Sequence, residues 1–269
     1  MRVAIQGQAG SFHHQAAQQW YGDDVAIIPC ATFSDTFRAY ADQRADAIIV
    51  AVENTIYGTI NETYRYIETC TAPITGEVTL AIEQMLITQP DTQLSDISEV
   101  YSHPVALSQC RQFLQEFLPH AASIEYFDTA GAVERVKQCG SRHIAAIASR
   151  AAAKLHHLPI NKRSIQDSRD NLTRFLVLDP SHIVTDPNRA TLVATATHQP
   201  GGLLDILQVF AAQQINIINL QSQPIVNQPW NYKFFITVDA AGPSLQRAVQ
   251  LIRSAGRQIT LLGQYRAAA

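Results

Sequence analysis

The chain has 269 residues, 46% of them hydrophobic and 16% charged, with a formal net charge of -3. That balance fits about two well-filled globular domains and, with no Lys/Arg run, leaves no electrostatic footprint for nucleic acid. Cys30, Cys70, Cys110 and Cys139 are widely spaced with no Cys-x-x-Cys pair, and no apolar run is long enough to span a bilayer. Reduced, mostly buried thiols, no metal, no membrane and a cytoplasmic location are therefore expected.

Val3-Ala4-Ile5 reads as a strand, after which Gly7-Gln8-Ala9-Gly10-Ser11 opens a helix. Val25–Ile28 is the next strand, and Phe33, Phe37, Tyr40 and Ala41 follow at helical spacing. Ala47–Val52 is continuously apolar, as in a strand covered on both faces. Further strands are expected near Val78–Ile87, at Val100-Tyr101, at Ile124–Phe127 and at Ile144–Ala148. A polar stretch, Asn161–Asn171, precedes a late strand at Phe175–Leu178. This alternation predicts an α/β fold, and the late return predicts two lobes with a cleft between them.

Beyond Asp179-Pro180 and Asp186-Pro187-Asn188 the pattern changes. Thr191–Thr197 alternates as a strand and His198–Gly202 forms a turn; Leu203, Leu207, Phe210 and Ala211 share a helix face. Strands at Ile215–Leu220 and Tyr232–Val238, a helix face of Leu245, Ala248, Val249 and Ile252, and a strand at Ile259–Leu262 complete the unit. The order βαββαβ is ferredoxin-like. It carries no evident catalytic group and reads as a small sensor or a dimerisation module.

Ligands of α/β sheets gather at the carboxyl ends of strands. Here those ends are small or polar: Gly7–Ser11, Glu53-Asn54-Thr55, Ser102-His103-Pro104, Asp128-Thr129 and Ser149. Helix capping explains each alone; together they describe a polar cleft around an anion. The G-x-x-G loop is neither a dinucleotide fingerprint nor a Walker A sequence, and no Gly-x-Ser-x-Gly elbow occurs. In Asn171-Leu172-Thr173-Arg174-Phe175 an amide, a hydroxyl and a guanidinium meet at the mouth of an apolar strand. Such a trio can grip a carboxylate while offering a donor to a departing oxygen, or can simply be a strand start with a solvated arginine.

Gly7-Gln8-Ala9-Gly10-Ser11-Phe12, Glu53–Gly58, Ser102-His103-Pro104 with Gln109-Cys110, and Asn171–Phe175 resemble, in order and spacing, the motifs of prephenate dehydratases. Pro200-Gly201-Gly202-Leu203 and the stretch from Asn216 to Pro224 resemble the ACT regulatory domain of those enzymes. No chorismate mutase bundle precedes them, so the monofunctional form is expected. The family's Gly-Pro-x-Gly-Thr-Phe is here Gly7-Gln8-Ala9-Gly10-Ser11-Phe12, and its Pro-Ile-Glu-Asn-Ser is Ala51-Val52-Glu53-Asn54-Thr55. The ACT motif Glu-Ser-Arg-Pro is Gln221-Ser222-Gln223-Pro224, without its two charges, which puts feedback by phenylalanine in question.

The resemblance implies a two-lobed, periplasmic-binding-protein-like catalytic domain over residues 1–182, with lobes 1–76 plus 172–182 and 77–171. A ferredoxin-like ACT domain is implied over 190–266. The implied activity is decarboxylating dehydration of prephenate to phenylpyruvate; an arogenate dehydratase and a non-catalytic amino- or keto-acid-binding protein are the alternatives. Thr173 is implied to assist the leaving oxygen. Arg174, Phe175, Ser11, Glu53, Asn54, Ser102, His103, Gln109, Thr129, Ser149 and Asn171 are implied to surround the substrate, with His103 either a donor or a cap. Gly201, Gly202, Leu203, Asn216, Gln221 and Ser222 would hold an L-phenylalanine effector. No cofactor is implied, and a homodimer or homotetramer is.

Overall fold

A computed structural model describes residues 1–196, 199–225, 227, 228 and 230–267. The chain divides into two compact units, Met1–Gly58 with Thr79–Phe175, and Thr59–Val78 with Leu176–Ala269. In chain order the first elements are β1 (Arg2–Gln6), α1 (Phe12–Tyr21), β2 (Ala26–Cys30), α2 (Phe33–Ala41), β3 (Ala47–Asn54) and the short β4 (Gly58–Thr59). Next come α3 (Asn61–Thr69), β5 (Ile74–Ala81), β6 (Met85–Ile87), β7 (Glu99–Ser102), α4 (Pro104–Gln109) and α5 (Arg111–Phe117). Then follow β8 (Ala122–Glu125), α6 (Thr129–Cys139), β9 (Ile144–Ala148), α7 (Arg150–His156), β10 (Ile160–Lys162) and β11 (Leu172–Leu178). The last are β12 (Arg189–Ala196), α8 (Leu204–Ala212), β13 (Ile217–Pro224), β14 (Tyr232–Val238), α9 (Gly242–Ser254) and β15 (Gln258–Tyr265).

The first unit draws on two sheets. One has the order β2-β1-β3-β11-β5, the other β10-β6-β9-β7-β8. β1 pairs in parallel with β2 and β3, so Gly7 and Asn54 emerge on one edge of the first sheet. β7 pairs in parallel with β8 and β9, so Ser102 at the end of β7, Asp128 after β8 and Ser149 after β9 lie toward one edge of the second. Local chemistry fixes the helices that begin there: Ser11 Oγ accepts from His14 N, Asp128 Oδ1 from Gly131 N, and Ser149 Oγ from Ala152 N. Pro104 occupies the first turn of α4, where its missing N–H costs nothing.

Expected and observed elements differ where chain crossings intervene. The run expected as one strand near Val78–Ile87 is two, β5 and β6. Between them Ile82 N donates to the Asn171 carbonyl at 2.7 Å and Gln84 N to Gln166 Oε1 at 3.0 Å. β11 starts three residues before Phe175 because Thr55 N donates to the Leu172 carbonyl and Leu172 N returns a bond to Thr55 Oγ1. β8 ends at Glu125, short of the expected Phe127. Thr197 of the expected strand and His198 of the expected turn lie outside the described residues. Cys30 and Cys110 are buried, Cys70 is half-buried and Cys139 exposed; all four are free thiols.

In the second unit, β13-β14-β12-β15 form an antiparallel sheet, covered by α8 and α9 around Leu192, Phe210, Ile236, Leu245 and Ile252. This is the expected βαββαβ order. The same unit takes in α3 and most of β5. The Tyr64 and Phe235 rings lie 5.0 Å apart, Lys233 pairs with Glu68, and Gln223 Nε2 donates to the Asn61 carbonyl at 2.7 Å. Arg189 reaches the buried Glu77 at 2.7 Å and Asp239 at 2.9 Å. β15 comes so near β5 that a Cβ on Gly263 would collide with the Ile74 carbonyl.

Candidate active site

Asn54, the last residue of β3, organises the start of β11. Its Nδ2 lies 2.7 Å from Asn171 Oδ1, 2.9 Å from Thr173 Oγ1 and 3.1 Å from the Leu172 carbonyl. Its Oδ1 accepts from the backbone N–H groups of Ile56 and Tyr57, which fixes which end of the amide faces Thr173. Thr173 is 8% exposed. With an N–H directed at its oxygen, the threonine hydroxyl is set to use its own proton as a donor. One residue on, Arg174 directs Nε and Nη2 at Glu53 Oε2, at 3.1 and 2.9 Å. Successive strand residues face opposite sides of a sheet. A ligand that touches both Thr173 and Arg174 therefore sits across the end of the strand, not over one face.

Phe175 shares the Thr173 side and is 1% exposed, its ring edge-on to His13 at 5.1 Å. It packs in the core. His13 Nε2 accepts from the Ala51 N–H, and burial lowers this imidazole to about 3, so it is neutral.

The glycine loop meets the second sheet's edge. Gln8 N donates to Asp128 Oδ2 at 3.0 Å, and Ser149 Oγ donates to the Gly10 carbonyl at 2.6 Å. Gly10 has φ +86°, and a Cβ there would stand 2.8 Å from Ala152 Cα, so only glycine fits. The loop joins the two edges and carries Ser11, whose hydroxyl caps α1.

The other expected residues are placed less directly. Ser102 is buried with its hydroxyl donated to the Ile147 carbonyl at 2.6 Å. His103 caps α4 through Nδ1, at 3.3 Å from Val105 N; burial lowers its pKa, opposed by the charges of Asp128 and Glu125. Gln109 Oε1 accepts from the buried Gln84 Nε2 at 3.3 Å. Thr129 is half-buried in the first turn of α6. Thus Glu53, Asn54, Asn171, Thr173 and Arg174 come together, Ser11 and Ser149 meet at the glycine loop, and Phe175, Ser102 and Gln109 lie deeper. Among the described residues no cluster of metal-ligating side chains occurs, and no helix is long and apolar enough to cross a membrane.

Two groups escaped the sequence reading as site residues. Asp128 stood among the polar strand ends as a cap-type residue, not as one of the residues around the substrate, and its second oxygen holds the glycine loop; burial raises its pKa, opposed by the N–H groups of Gly131 and Gln8. Gln84, beside Gln109, carries a buried Oε1 that lacks a partner. Neither contact has a local sequence signal.

In the ferredoxin-like unit, Gly201 takes φ +85° and Gly202 N donates to the Gln199 carbonyl, closing the turn before α8. Leu203 lines a hollow of about 430 Å³ with Pro200, Trp230, Tyr232 and Phe234. Asn216, Gln221 and Ser222 are not among its walls. Asn216 and Ser222 are exposed, and the Gln221 amide donates to the Ser222 carbonyl at 3.1 Å.

Comparison with known proteins gives consistent matches. The family model for prephenate dehydratase matches residues 3–182, and the model for the ACT domain matches 190–257. The bifunctional chorismate mutase/prephenate dehydratase of Escherichia coli K12 is 35% identical over 273 residues, covering 98% of this chain and 70% of that protein. A solved prephenate dehydratase from Arthrobacter aurescens, in complex with L-Phe, superposes with a TM-score of 0.88 at 27% identity, covering 99% of this chain and 90% of that one. GqqA, described as a novel type of quorum quenching acylase, superposes equally well, with a TM-score of 0.88 at 29% identity over 100% of this chain and 98% of that one.

Proposed function

This chain belongs to the prephenate dehydratase family and carries an ACT domain, and we propose that its substrate is prephenate itself. In the reaction the bond from the ring to its carboxylate breaks, and the electron pair enters the ring as carbon dioxide leaves. The hydroxyl on the opposite ring carbon departs with one proton as water, and phenylpyruvate remains. Aromatisation drives this step. What the protein adds is orientation and a donor for the leaving oxygen.

The observation that carries the reading is the 2.9 Å contact from Asn54 Nδ2 to Thr173 Oγ1. It occupies one acceptor site of the threonine oxygen, and in this reading the hydroxyl proton is given to the departing oxygen. Arg174, steadied by Glu53, holds a carboxylate. That carboxylate is the pyruvyl one, because gripping the ring carboxylate more tightly in the ground state would slow its loss. Asn171 and Ser11 supply further hydrogen bonds.

The reading places the catalytic domain at 1–182, with lobes 1–76 plus 172–182 and 77–171, and the ACT domain at 190–266. It makes the protein cytoplasmic and homodimeric or homotetrameric, with L-phenylalanine as the effector class at the ACT domain. The likeness to GqqA raises acyl transfer as a second reading. Against it, the hydroxyls of Ser102 and Ser149 are donated to backbone carbonyls, and the described contacts give neither a histidine base.

Purified protein mixed with prephenate, and separately with arogenate, decides the matter. Phenylpyruvate formation from prephenate, with a higher kcat/KM than phenylalanine formation from arogenate, is the expected result. Faster turnover of arogenate moves the substrate assignment, and a folded protein inert toward both ends the reading.

A further inference from the structure

The Gly7–Ser11 loop is held from outside its own sheet at two points. Asp128 is 7% exposed, and its carboxylate is divided between two tasks. Oδ1 takes the Gly131 N–H and caps α6; Oδ2 takes the Gln8 N–H. A helix cap needs only the first of these. The second spans 120 residues of sequence and ties the edge of one sheet to the edge of the other. The donor is the backbone N–H of residue 8, a position at which the motif that this run resembles, Gly-Pro-x-Gly-Thr-Phe, has proline. Proline has no N–H. The bond is therefore available to Gln8 and would be lost with proline at that position.

We infer that the Gln8 amide and the Asp128 carboxylate form a latch that keeps the loop bearing Ser11 closed across the two sheet edges, making Asp128 a positioning residue for substrate binding. The inference rests on the dehydratase reading. Ser149, bonded to the Gly10 carbonyl, is the second point of the same hold. A latch made before substrate arrives raises the fraction of molecules already in the binding arrangement, and apparent affinity scales with that fraction. Thr173 and Asn54 are not partners of the latch, so the chemical step is left as it was.

Four variants of the full chain separate the latch from the cap. Gln8→Ala keeps the backbone donor, and Gln8→Pro removes it. Asp128→Asn keeps one oxygen for Gly131 and turns N–H groups toward Gln8; the fourth variant combines it with Gln8→Pro. Loss of a hydrogen bond to a buried charged group is expected to raise KM for prephenate roughly 10-fold in each of the two disruptive single variants, with kcat within about 3-fold of the parent. The double variant should match either single one, and Gln8→Ala should match the parent. Unchanged KM in both Gln8→Pro and Asp128→Asn, or effects that multiply in the double variant, would overturn the latch. Should Asp128→Asn misfold, Asp128→Ser serves: its hydroxyl can cap α6 but is too short for Gln8. Hydrogen exchange at the Gln8 amide reads the latch without substrate. Slow exchange that accelerates in the Asp128 variant supports it, even in a protein that proves inert toward prephenate. Fast exchange in the parent overturns it, even in an active dehydratase.

Discussion

At the start of β11, Asn171 and Thr173 meet Asn54, and Arg174 meets Glu53, so one strand end answers another side chain by side chain. At the end of β13 a run of similar polarity is treated differently. Gln221 bonds to its neighbour's carbonyl, Ser222 is exposed, and Gln223 is buried with its amide on the Asn61 backbone. In the first region the polar groups meet one another, side chain to side chain. In the second the buried amide is a fastening between β13 and α3. Polarity at a strand end thus says little until its partners are known.

The sharpest test of that contrast is Thr173→Ala, for which kcat should fall roughly 10²–10⁴-fold, the range of a positioned proton-transfer group. Its unfolding free energy should change by only about 1 kcal/mol, the worth of one hydrogen bond; near-parental turnover in steady-state assays would remove Thr173 from the reaction. Beneath that strand, His13 gives a pH signature. Its pKa is about 3 in the folded protein, below the ordinary histidine value, so the unfolded chain binds the proton more readily. The stability that goes with a neutral His13 is complete above about pH 6.5 and is lost as pH falls toward 3, by at most about 1.4 kcal/mol per pH unit. Urea titrations at pH 7 and pH 5 should show the drop, and His13→Gln should flatten it. In the second region, Gln223→Ala should cost about 1–2 kcal/mol in the same titrations and leave kcat unchanged. A large loss of kcat with normal stability would reverse the contrast. Smallest of all, Gln221→Ala should stay within about 0.5 kcal/mol of the parent.

Much of this was legible in the order of residues. β3 and β9 announce themselves as apolar runs bounded by polar ends, and the βαββαβ pattern follows from strand alternation and two helix faces. Asn54 and Thr173 were reached through the resemblance that four runs carry together in order, not from either run alone. α3 was not legible: Ile60 at its cap provides no side-chain bond, and its buried residues are Thr63, Tyr64 and Ile67, too few for a clear periodic signal. β10 is three residues long and paired irregularly to β6. The pair of Arg174 with Glu53 joins residues 121 apart, and the Gln8 bond uses a main-chain donor. A main-chain donor leaves no trace in residue identity unless proline removes it.

The placement of α3 bears on how this gene could be dissected. Tyr64 and the opening of β5 precede the seam between the two matched segments, yet the ring of Phe235, the ammonium of Lys233 and the bare backbone of Gly263 all come after it. Severing the polypeptide near residue 185 would hand the front fragment a helix whose cover had been cut away. Such a fragment is expected to precipitate when expressed alone and to recover when the tail is supplied in trans.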